Sequence, residues 1–415
     1  MAIRNLFVVF VASSLFAFTS WGQPPSESNV DSVVDAFQAM LEQKDNWKNS
    51  IEKVFASQNR ESLVRRVAEI RKRTAGHEAA DIMIGSDHGT FVFETPSGPV
   101  EVKFRLTANP VRIESIDVGE NEPPLSPITW DSLESDLTAA AKDGLTGAAL
   151  VTRRGKVVLH QAFGLANRAK KIPNKPDTVF AIGSAPIDFT HASLLILKDQ
   201  GKLKFTDPIT KYFDNVSDDK KAITIRHLMT GRSGLPDFHD LPTDKEPDHS
   251  WIDRDEAVRR IMNQKLLFKP GEGDRHSHSA WGLLAAIVEI ASGQSYQKFT
   301  RVNLYKPAGM KDTGFFGDEV PESRIAVGYG FRKSTEPNAP PHWGKTSWLV
   351  MGSGGQISTL SDLYRWEVAI RAGKIMSPES TKSFVGMGNR VSADGDMYGF
   401  EFMHSHDPEC MFMIA

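Results

Sequence analysis

A serine at the mouth of an apolar helix becomes a nucleophile only when something beside it accepts a proton. In the run Phe180-Ala181-Ile182-Gly183-Ser184-Ala185-Pro186-Ile187 the residue one helical turn past the serine is isoleucine. Residues three apart share a helix face, so a lysine at position 187 would reach the Ser184 hydroxyl and make it an acylating group. Isoleucine has no lone pair to offer. The helix itself is well specified: Gly183 permits close backbone approach, Pro186 suits the first turn, Leu194, Leu195 and Leu197 supply an apolar stripe, and Gly201 ends it. Backbone donors at such a helix start would stabilise a developing oxyanion. On the local sequence alone, Ser184 reads more simply as a helix cap.

Imidazole is the other side chain that accepts a proton near neutral pH. A histidine in a Pro- and Gly-bounded loop is, however, commonly just solvated. Further histidines fall in pairs: His239, Asp240, Asp248 and His249 share one loop, His276 stands two before His278, and His404 two before His406. A His-x-His pair on an extended strand can chelate, but zinc wants three or four ligands with supporting groups behind them. Surface loops explain the pattern more cheaply, so neither a metal site nor a cofactor is expected.

These residues sit in a chain of 415, with 40% hydrophobic and 24% charged residues and a net charge of -3 dispersed along its length. That balance excludes wholesale disorder and leaves no basic field for nucleic acid. Arg4 followed by an apolar run from Leu6 to Phe18, then Thr19-Ser20-Trp21-Gly22, reads as a signal peptide over residues 1–22, too short to span a bilayer. The expectation is export, periplasmic or extracellular, with no membrane span once the signal is removed. Cys410 is the only cysteine, so no internal disulfide can form.

Residues 30 to about 74 carry helical periodicity, at Val33, Phe37 and Met40 and again at Leu63, Val67 and Ile70. From Asp81 the period becomes two, with a turn at Ser86-Asp87-His88-Gly89, in which His88 is expected to be a solvated loop residue. A small α+β domain over 30–118 follows. Proline-rich residues 119–129 read as a linker, and a second domain begins near Trp130. Within it, residues 147–163 form a hairpin turning at Arg153-Arg154-Gly155-Lys156, and helical signals dominate from 188 onward.

Over about 250 residues this second domain resembles the serine β-lactamase and penicillin-binding-protein superfamily, especially its class C and esterase-like branch. The resemblance is carried in order by Phe180 to Ser184, Leu197 to Phe213, Ile223 to Thr230 with Ser233-Gly234-Leu235-Pro236, Pro270-Gly271, Ser292 to Tyr296, Pro307 to Met310 with Asp312-Thr313, and Gly352 to Gly355 with Ser358-Thr359. It implies an α+β, β-lactamase-like domain: a helical subdomain plus an antiparallel sheet flanked by helices, with 147–163 as the first sheet strands. It also implies acyl transfer on an amide, ester or β-lactam, with Ser184 as nucleophile and Ser353, Gly354 and Gly355 lining the substrate. The domain before residue 119 looks like a helix-plus-sheet module sometimes joined to such hydrolases.

The family's chemistry needs Ser-x-x-Lys, Tyr-x-Asn and a Lys/His-x-Gly strand. Here Ile187 stands at the lysine place, His278-Ser279-Ala280 in the Tyr-x-Asn slot, which makes His278 the candidate base of a rescued enzyme with no orienting acid to name, and the sequence stops at Ala415 about where the last element would come. Tyr398 to Phe402 resembles the strand before that element, and Cys410 to Ile414 the start of the next. The expectation is a C-terminally incomplete domain of weak or no hydrolase activity, with an apolar sheet edge that a partner would cover. The alternative is a non-catalytic exported module that binds a cell-wall peptide or partner chain. Three local readings complete the set: His227 is structural, Asp362 caps a helix, and Trp281 packs in the core.

Overall fold

A computed structural model of the chain describes residues 27–42, 46–56, 60–74, 77, 79–84, 88–96, 98–107, 111–118, 129–142, 144–238, 251–318, 320–329, 344–387, 393–395, 401–404 and 411–414. The chain divides into two compact units, Met1–Leu133 and Glu134–Ala415.

In the first unit, α1 (Glu27–Glu42), α2 (Ile51–Val54) and α3 (Arg60–Arg73) precede a meander of β1 (Ala79–Ile84), β2 (His88–Thr95), β3 (Gly98–Leu106) and β4 (Ile113–Val118), paired in that order. Helical and strand periods meet in one core. Phe37, Met40, Val67 and Ile70 from the helices pack with Phe91, Phe93, Val100, Val102 and Phe104 from the strands. Because Phe91 opposes Val102 and Phe93 opposes Val100, the aromatic rows stay on one face. The Phe91 and Phe104 rings lie 4.9 Å apart. His88, expected in a turn, pairs with Arg105 as the first residue of β2, so it is a strand residue.

The second unit opens with α4 (Leu133–Lys142) and the hairpin β5 (Gly147–Arg153) and β6 (Lys156–Phe163). Its loop residues Arg154 and Gly155 both take positive φ, 49° and 73°, as a two-residue turn matched to strand twist demands. Short strands β7 (Leu165–Asn167), β8 (Ile172–Pro173) and β9 (Phe180–Ala181) follow, then α5 (Pro186–Asp199), α6 (Ile225–Met229), α7 (Arg254–Met262), α8 (His278–Ser292), α9 (Tyr296–Thr300) and α10 (Lys306–Ala308). Next come β10 (Gly314–Phe315), β11 (Gln356–Ser358), α11 (Leu360–Arg371), α12 (Pro378–Val385), β12 (Ala393–Gly395), β13 (Glu401–His404) and β14 (Phe412–Ile414).

The main sheet runs β12-β13-β14-β5-β6, antiparallel throughout. Leu150 of β5 pairs with Met413 of β14, so the inner strand of the hairpin is covered by the chain's own residues rather than left open as expected. Helices α5 and α8 are buried on every side, Ser279 through Val288 without interruption, which marks them as the centre of the helical layer. The result is α+β: a helical layer built on an antiparallel sheet. No helix among the described residues is long and apolar enough to cross a membrane.

Candidate active site

Ser184 is delivered by a second, smaller sheet ordered β10-β11-β9. Ala181 pairs with Ile357 and Phe180 with Ser358, and the chain leaves β9 through Ile182, whose N–H donates to Gln356 O at 3.2 Å. Gly183 then takes φ +50°, a left-handed turn that glycine enters without strain. The serine follows, half-buried, two residues before α5 begins.

Ser184 does not cap that helix. The N-cap position belongs to Ala185, with no side-chain capping bond, and Pro186 opens the helix. The helix-start donors are also absorbed locally: Ala185 N–H donates to Ile182 O at 3.0 Å, Ile187 N–H to Ser184 O at 2.9 Å and Asp188 N–H to Ala185 O at 3.1 Å. Pro186 has no N–H to give. The N–H groups of Ala185, Ile187 and Asp188 are therefore engaged within the turn. Ile187 is 7% exposed and belongs to the main hydrophobic core of the unit. Asp188, also buried, lines a cavity with room for about one water, together with Phe189, Trp366, Glu367 and His404. His404 is thus a core residue of β13.

The segment Gly352-Ser353-Gly354-Gly355 crosses between α5 and α8. Gly352 has φ +89°, and a Cβ there would stand 2.7 Å from Trp281 O and 2.9 Å from the Ala285 Cβ. Its carbonyl accepts from Thr190 Oγ1 at 2.6 Å, and Thr190 Oγ1 lies 2.5 Å from the Tyr296 hydroxyl. This buried relay ties α5, α9 and the glycine turn together. Gly354 approaches the serine loop, its would-be Cβ 3.5 Å from Gly183 O. Ser353 is 2% exposed and donates to Val350 O at 3.3 Å.

His278 is the first residue of α8 and lies within one helical turn of Trp281, which meets this same turn. Its ring Nδ1 is 2.7 Å from Asp237 Oδ2, and the same oxygen accepts the His278 backbone N–H at 2.8 Å. The rings of His276 and Phe238 pack edge-on to it, at 4.8 Å and 6.0 Å. His278 is therefore an anchored residue with an acid beside it, where sequence spacing offered only a solvated loop. Asp237 was invisible to that reading because 41 residues separate the two; the one hint was a carboxylate directly after the family-like Ser233-Gly234-Leu235-Pro236 stretch.

Other assignments resolve as follows. His227 closes a capping box with Thr224 at the start of α6, and Trp281 is 4% exposed in the core. Asp362 does not cap α11; Thr359 does, while the fully buried Asp362 carboxylate accepts from Asp312 N–H and Thr313 Oγ1. Among the described residues no group of three or more His, Cys, Asp and Glu is placed to hold a metal. His239, Asp240, Asp248, His249, His406 and Cys410, and the segments 1–22 and 119–128, lie outside the described residues.

A family model described as Beta-lactamase matches residues 131–410. The chain is 30% identical over 286 residues to a penicillin-binding protein of Bacillus subtilis (strain 168), a match covering 66% of this chain and 62% of that protein. It therefore spans less than two thirds of that relative's length. Among solved structures it is similar to FmtA from Staphylococcus aureus, with a TM-score of 0.59 at 20% identity over 69% of this chain and 82% of that one. It is also similar to a penicillin binding protein from Bacillus halodurans, with a TM-score of 0.55 at 24% identity over 68% of this chain and 92% of the other. At these identities the structural likenesses show the fold.

Proposed function

Because the chain belongs to the β-lactamase family, within the serine β-lactamase and penicillin-binding-protein superfamily, we propose that its second unit is an acyl-transfer site of serine-hydrolase type that acts weakly or not at all. The substrate class is an amide, ester or β-lactam. In the reaction such a site supports, Ser184 Oγ attacks the acyl carbon, its proton passes to a base, and the leaving amine or alkoxide takes that proton as the carbonyl re-forms. His278 is the residue we assign as that base, and the Ser353-Gly354-Gly355 turn as the wall beside the acyl group.

The observation that carries the reading is Ile187. It is buried in the core at the place where a proton acceptor one turn beyond the nucleophile would stand. Removing such a partner typically lowers the rate by about 10⁴ to 10⁶, the remainder coming from binding and from polarised donors. Incubating the mature protein with a fluorescent penicillin and with a fluorophosphonate tests this. Slow or absent labelling is expected; rapid stoichiometric labelling that Ser184→Ala removes would refute it.

A second reading is favoured by the intact glycine turn and its buried Tyr296-Thr190-Gly352 relay, which preserve the shape beside Ser184 without needing proton transfer. In that reading the unit binds a cell-wall peptide or a partner chain without turnover. Saturable affinity unchanged by Ser184→Ala would support it, and absence of affinity for cell-wall fragments would remove it. For the remainder of the chain we propose a module over 30–118, a linker over 119–129, and export directed by residues 1–22. The last rests on Arg4 and the apolar run from Leu6 to Phe18.

A further inference from the structure

We infer that Asp237 is a positioning residue for His278, fixing its ring so that Nε2 carries the lone pair. The inference rests on the reading of Ser184 as the nucleophile. An ionised carboxylate only accepts hydrogen bonds, so the ring nitrogen 2.7 Å from Asp237 Oδ2 must be the protonated Nδ1, and the proton-accepting nitrogen is Nε2. That is the tautomer a general base needs. The pair is held in a setting that restricts rotation: Asp237 is 8% exposed, and its Oδ2 binds both the backbone and the ring of the same residue.

The loop that carries Asp237 is itself fastened. Ser277, which caps α8 by accepting from Ala280 N–H, donates its own hydroxyl to Pro236 O at 3.1 Å. Ser277 and His278 therefore grip the consecutive residues Pro236 and Asp237. Earlier in the loop, Leu267 N–H donates to Gly234 O at 2.8 Å. Gly234 has φ +78°, and a Cβ there would stand 2.1 Å from Phe268 O, so only glycine fits. These contacts fix the acid relative to the helix start as rigidly as the core permits. His278 and Ser184 in turn stand within about two helical turns of the places where α8 and α5 meet Gly352.

A carboxylate at a helix start could also serve that helix alone, through the backbone N–H of His278. The tests therefore read tautomer and pH as well as stability. Nitrogen-15 NMR of histidine-labelled protein should show His278 as the Nδ1–H form in the wild type; an Nε2–H form would overturn the inference without any variant being made. Fluorophosphonate labelling of Ser184 should be slow and fall further on acidification. Asp237→Asn should lower that rate at least tenfold and change its pH dependence, with partial rescue by Asp237→Glu. An Asp237→Asn protein that labels at the wild-type rate with the same pH profile would overturn it. Wild-type protein that never labels would also overturn it, while leaving the reading of a silent site standing. Rapid penicillin acylation in both the wild type and His278→Gln would instead refute the reading of an impaired site.

Discussion

The starts of α5 and α8 are built to opposite ends. At the first, Gly183 and Pro186 place Ser184 just before α5, Ile187 one turn on is buried in the core, and the N–H groups of Ala185, Ile187 and Asp188 are tied into the turn itself. At the second, His278 opens the helix and is held against a buried acid by a loop fastened at several points. One start sets a serine one turn before a buried isoleucine; the other holds an imidazole against a carboxylate. The contrast teaches that packing and chemistry make separate demands on sequence, so two helix starts of one fold can be specified independently.

Variants at each start sharpen or break this contrast. Ser184→Ala should remove fluorophosphonate labelling completely; labelling that survives would put the nucleophile elsewhere. His278→Gln should lower the labelling rate by about 10² to 10⁴, the range that general-base catalysis contributes, and an unchanged rate would make the second start purely structural. Ile187→Lys buries an ammonium in the core and should lower unfolding stability by about 3 kcal/mol, without producing rapid penicillin acylation. If acylation did appear, the loss of one lysine would explain the whole impairment.

Asp207 lies outside both starts and gives the smallest effect. Burial alone would raise its carboxyl, but hydrogen bonds from Lys211, the Lys204 N–H and Tyr212 hold it below the usual carboxylate range. A carboxyl lowered in the folded state stabilises above its unfolded value, and that contribution is lost as pH falls through its folded value. Asp207→Asn should therefore cost about 1 to 2 kcal/mol at neutral pH. The difference from wild type should shrink on acidification, as denaturant midpoints at several pH values would reveal.

Much of the fold was legible because its signals are local. Apolar spacing announced Phe37 and Met40 on one helix face, alternation announced Val100, Val102 and Phe104, and the Arg154-Gly155 turn announced the hairpin. The serine was legible for the same reason, since Gly183, Pro186 and Gly201 bracket its helix. What escaped the sequence was set by contacts between distant segments. Asp237 reaches His278 across 41 residues, and Asp362 forsakes the cap of α11 for the backbone of Asp312, 50 residues away. His88 was misplaced by a different cause: its pairing with Arg105 extends β2 into what composition marks as a turn.

The relay behind the glycine turn offers Thr190 more acceptors than it can serve: the carbonyls of Gly352 and Pro186 both lie within reach of its hydroxyl. Thr190 has a single hydroxyl hydrogen; directed at the Gly352 carbonyl, it obliges the Tyr296 phenol to be the donor to Thr190. Burial holds that phenol well above its ordinary ionisation range, so the hydrogen it lends stays in place where a free tyrosine would give it up.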